Sequence, residues 1–70
     1  MKRIPVSKRI LEDWLRENEE MRRQLWEELA NLSEDDPLRH SKRDLIRNLL
    51  KDYEEVLERI RRGIYVLVED

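Results

Sequence analysis

The side chains that could do chemistry are few. His40 is the only histidine and there is no cysteine. No Glu-x-x-His pair and no His-x-x-x-His spacing occurs, so zinc and di-iron carboxylate sites lack their usual ligands. With a single glycine, no loop can cradle a phosphate. Ser7, Ser33 and Ser41 stand where helix caps are expected, which accounts for them without nucleophilic chemistry. Glu19-Glu20, Glu27-Glu28 and Glu54-Glu55 are neighbours along helices, so the members of each pair diverge into solvent. The expectation is a non-enzymatic chain with no cofactor and no metal. The remaining candidates are recognition residues. Glu34-Asp35-Asp36 lies next to a helix start, where acids complement the helix dipole; Asp35 and Asp36 could also meet a basic partner. Trp14 is expected in the core. Trp26 falls off the main apolar stripe and is the better candidate for a partner contact.

These residues must be positioned by a small framework. Seventy residues allow one domain with a marginal core, and chains of this size often rely on a second chain. Charged residues make up 46%, yet the net charge is only -2, so there is no global attraction to nucleic acid. Lys2 and Arg3 crowd one end of the chain, and Lys42 and Arg43 crowd the start of a later helix. These four are the candidate nucleic-acid contacts, although nucleic acid is disfavoured as a partner. No apolar run approaches the roughly 20 residues of a membrane span. The basic start leads into Pro5, Lys8 and Arg9, not into an apolar stretch. A soluble, cytoplasmic protein is expected.

The organising signal is a heptad line. Ile46, Tyr53 and Ile60 recur every seven residues, with Leu49 and Val56 between them, the seam of a packed helix. The spacing predicts an arm over 1–6, with Pro5 weakening any strand there. It then predicts a helix over 8–32 capped by Ser7, a turn over 33–36, a helix over 37–62 stopped by Gly63, and a strand over 64–68. Leu11, Leu15, Met21, Leu25, Leu29 and Leu32 line the first helix. Asn18 occupies a position that Leu would fill better; it either fixes register or sits at the wet edge of the seam. Glu12/Arg16, Glu19/Arg23 and Glu58/Arg62 are i,i+4 pairs, each worth about 0.2–0.5 kcal/mol. The second helix has two possible starts, Asp36-Pro37 and a capping box at Ser41 and Asp44. The terminal run Ile64 to Val68 could pair with the arm of its own chain, pair with that of a second chain, or cap the hairpin irregularly.

The fold class expected is mainly α: an antiparallel two-helix hairpin with short terminal strands, dimerising into a four-helix arrangement. Leu45, Leu50 and Leu57 flank the heptad line, and one hairpin cannot cover a stripe that wide. The expected self-association residues are Leu45, Leu49, Leu50, Tyr53, Val56, Leu57, Ile60, Ile64 and Val66. The function expected is a protein-interaction or self-assembly module, natural adaptor or designed scaffold.

Two family resemblances bear on this. Leu57-Glu-Arg-Ile-Arg-Arg-Gly63-Ile-Tyr65 resembles the hairpin-to-zinc-finger junction of the DksA/TraR family. That resemblance implies a coiled-coil hairpin whose acidic tip, here Asp35 and Asp36, enters RNA polymerase. Val68 stands where that family's first zinc cysteine falls, so no zinc finger is implied. Lys2-Arg-Ile-Pro-Val-Ser7 and the stretch from Ser41 to Tyr53 resemble the strand and second helix of ribbon-helix-helix proteins. That resemblance implies a two-chain ribbon in the DNA major groove. The first helix is about twice that family's length, and a long hairpin would hold the two basic clusters at opposite ends.

Overall fold

The computed structural model describes residues 2–69; Met1 of the expected arm, and Asp70, lie outside the described residues. The order is β1 (Ile4–Ser7), α1 (Lys8–Ala30), α2 (Leu38–Arg61) and β2 (Tyr65–Val68). The chain is a mainly helical hairpin, and its two strands pair parallel in a two-stranded sheet.

Each helix is punctuated locally. Ser7 Oγ accepts from Ile10 N–H at 3.3 Å, so the strand ends where the cap begins. α1 stops at Ala30, two residues short of the expected end, with Asn31 as its C-cap. Of the two candidate starts for α2, the chain uses the one at Asp36-Pro37, shifted by one residue so that Pro37 is the N-cap. The Asp36 carboxylate accepts from Leu38 N–H at 2.9 Å, and helix begins at Leu38. Ser41 lies within α2 and caps nothing, and Ser33 belongs to the turn, where its carbonyl accepts from Asp36 N–H. α2 ends in a Schellman motif. Gly63 takes φ 75°, Gly63 N–H donates to Ile60 O at 3.0 Å, and Ile64 N–H donates to Arg59 O at 2.9 Å. The left-handed conformation costs other residues about 1–2 kcal/mol, and glycine avoids that cost.

The terminal run is a strand, one residue shorter at its start than expected, and its partner is the arm of its own chain. Pro5 is accommodated because Ile4 N–H donates to Ile64 O at 2.7 Å. Backbone groups alternate along a strand, so the Pro5 nitrogen points away from β2 and no ladder bond is lost. The sheet closes the open end of the hairpin, since β1 feeds α1 and β2 follows α2.

The core is thin. Leu11, Leu29, Ile46 and Asn18 are the buried residues among those described. The principal extents are 47 × 24 × 12 Å, with a radius of gyration of 15.5 Å, against about 11 Å for a compact chain of this length. A helix with its side chains is about 10–12 Å across. The molecule is therefore one helix thick.

Candidate self-association surface

The line between the helices is held by a polar cluster inside an apolar seam. Asn18 is 2% exposed, which places it in the seam and not at its wet edge. Its Nδ2 donates to Leu49 O at 2.9 Å, and its Oδ1 accepts from Arg22 Nε at 2.8 Å. The Arg22 guanidinium lies over the Tyr53 ring, 4.8 Å from its centroid. Tyr53 OH donates to Glu19 at 2.7 Å. That bond, chiefly, raises the Tyr53 pKa, with partial burial and the Glu19 charge adding to it and Arg22 opposing. The cluster thus reaches from Leu49 and Tyr53 of α2 to three residues of α1, and it ties these turns of the two helices together.

A second cross-link was not legible in the sequence. Arg39 Nη1 donates to Leu29 O at 3.0 Å and to Leu32 O at 3.2 Å. The last turn of α1 has no basic residue of its own, and Arg39 supplies the positive charge that its carbonyls attract. Lys42 Nζ adds an ion pair to Glu28 at 2.8 Å. Two expected surface pairs are re-partnered: Arg16 bonds Asp13 and Arg23 bonds Glu20, both at i,i+3. Glu19 is engaged with Tyr53 instead. Glu58/Arg62 forms as expected, at 2.9 Å.

Outside the seam, both faces of the slab are apolar. On one, Met21, Leu25, Leu45 and Leu49 line an open groove with Gln24 and Glu28 at its rim. Trp14, seven residues before Met21, and Val56, seven after Leu49, extend the same face. On the other, Trp26, Ile46 and Leu50 line a groove with Arg43 and Arg47, and Leu57 extends it. Leu45 is 51% exposed and Trp26 56%; Leu50 and Leu57 are also exposed. Trp14 is exposed as well, correcting its placement in the core: the slab has no second layer to cover it.

The residues expected to associate therefore divide. Leu49, Tyr53, Val56, Ile60 and Ile64 are half-buried within the chain, while Leu45, Leu50, Leu57 and Val66 are exposed. Met21 and Leu67, which the expected set leaves out, are exposed as well. Met21 was expected only as one of the residues lining α1, and the exposure of a strand edge is a property of the sheet, not of the spacing.

The Asp36 carboxylate is engaged by Leu38 N–H, whereas Asp35 is exposed. Lys2 and Arg3 lie at the sheet end, and Lys42 and Arg43 lie near the hairpin tip, separated by the length of α1, about 35 Å at 1.5 Å per residue. Among the described residues no group of three or more Asp, Glu or His side chains comes together to hold a metal ion. Among them, too, no helix is long and apolar enough to cross a membrane. No family model, no curated protein and no solved structure matches the chain.

Proposed function

We propose that the chain is a non-enzymatic self-assembly module whose helical hairpin stacks on a second copy to complete its core. The observation that carries this reading is surface area. The chain exposes 5824 Å², against about 4,700 Å² for a compact monomer of its 8.7 kDa mass. The excess is about 1,100 Å² per chain, which doubled falls in the range of obligate homodimers. Stable domains place two layers of secondary structure around one core, and this chain supplies one layer. The groove of Met21, Leu25, Leu45 and Leu49 is the richer face, because it is unbroken by the Arg22–Tyr53 cluster and has only Gln24 and Glu28 beside it.

Sedimentation across a hundredfold range of concentration tests this. The expected result is a dimer or a higher assembly that persists on dilution into the micromolar range. A monomer at every concentration defeats the reading. In that case a transcription-related role, with the exposed Asp35 at the hairpin tip meeting a basic partner, becomes the reading to pursue.

A further inference from the structure

The two outer edges of the sheet are not equivalent. The register sets Ile4 opposite Tyr65 and Val6 opposite Leu67. With Ile4 N–H donating to Ile64 O, alternation directs the backbone groups of Ile4 and Val6 at β2 and turns those of Pro5 and Ser7 outward. On β2 the same rule directs Val66 and Val68 at β1 and turns Tyr65 and Leu67 outward. The outer edge of β1 thus offers a proline without an N–H, followed by the residue that caps α1. The outer edge of β2 offers donors and acceptors at both Tyr65 and Leu67. It also carries Val66, Leu67 and Val68, each exposed by two-fifths or more. An open apolar edge of this kind is a template for another strand, and parallel sheets in soluble proteins are rarely left this bare.

We infer that the outer edge of β2 pairs antiparallel with the same edge of a second copy about a twofold axis at Val66. The resulting sheet runs β1-β2-β2-β1 through two chains. Tyr65 and Leu67 flank Val66 symmetrically, so this register lets Tyr65 exchange both backbone bonds with the partner's Leu67, and Leu67 with the partner's Tyr65. No outward group of Tyr65 or Leu67 is left over, so the edge is self-complementary, and the surplus surface of the chain makes a second copy its occupant. The same register carries Glu69, which pairs with Lys8 of its own chain at 3.5 Å, towards Gly63 of the other chain, so no charge at this end opposes the approach of the two edges. The excess area already assigned to self-association gives such a pair surface to bury. This inference rests on the self-assembly reading and names a contact that helix stacking alone does not require.

Leu67→Pro tests it. The Leu67 N–H points away from β1, so proline there removes an edge donor and leaves the internal ladder whole. The expected result is at least a tenfold weaker association by sedimentation, with the helical circular dichroism unchanged. A second variant does not depend on that substitution folding. The chain has no cysteine, so Val66→Cys introduces a single thiol. In the proposed register it faces its own copy in a non-hydrogen-bonded pair, at about 4.5 Å between Cα atoms, within disulfide reach. Mild oxidation should yield a cross-linked dimer well ahead of an Ile10→Cys control on the exposed surface of α1. If Leu67→Pro associates as tightly as the parent chain, or Val66→Cys cross-links no faster than the control, the edge pairing is wrong while the self-assembly reading stands. A parent chain that never associates defeats both.

Discussion

At the scale of single residues, Asn18 and Tyr53 carry most of what distinguishes this seam from a generic leucine line. Asn18 is the one buried polar residue among those described, and both of its polar ends are matched. Leaving a partner group unsatisfied costs about 1–3 kcal/mol, so Asn18→Ala should lower unfolding free energy by about that amount in urea titrations. No change would mean that water replaces its bonds freely. Tyr53 has a raised pKa, first because its hydroxyl donates to Glu19. A raised folded-state pKa stabilises the protein fully below the unfolded value of about 10 and loses that contribution as pH rises through the folded value. Melting temperature should therefore stay level through neutrality and fall above about pH 10. Tyr53→Phe should flatten that alkaline fall relative to the parent chain. Asn18 was legible as an anomaly because it breaks a leucine spacing. Its partner Leu49 O was not, since a backbone acceptor 31 residues away leaves no mark on local sequence; Arg22, four residues on along the same helix, lay within reach of an i,i+4 reading that the charged pairs alone received.

At the scale of elements, punctuation was the most legible feature. Ser7, Asp36-Pro37 and Gly63 act through groups within a few residues of themselves, so type and position suffice to read them. Gly63 provides a clean test. Nothing lies within 4 Å of where its Cβ would be, so Gly63→Ala should cost only the left-handed conformation, about 1–2 kcal/mol, read as a lower midpoint in thermal unfolding. A much larger loss would mean that the turn also aligns β2. The strand pairing was only half legible. The apolar composition of Ile64 to Val68 announced a strand, but the choice between its own arm and another chain's depends on how the hairpin brings the ends of the chain together. Arg39 was not legible at all, because it caps a helix from across the turn.

At the scale of the whole molecule, the width of the apolar stripe was readable from Leu45, Leu50 and Leu57, and the slab leaves all three exposed. The presence of apolar residues on both faces was not readable, because a helical wheel gives each helix its stripe but not the tilt of one stripe against the other. Leu45→Glu places a charge in the richer groove at a site exposed in the single chain, so it should spare helicity and weaken assembly by at least tenfold in sedimentation. Leu50→Glu on the opposite face should have a smaller effect, and the reverse order would reassign the stacking face. The parallel pairing of β1 with β2 has a further consequence. It joins residues 4 and 65, nearly the two ends of the chain, and closing so long a loop carries an entropic cost that only prior docking of the helices can reduce. The sheet is then the last part to form and the first to open. Any strand pairing built on its edge inherits that order, so two chains can meet through their helices first and through their sheets only afterwards.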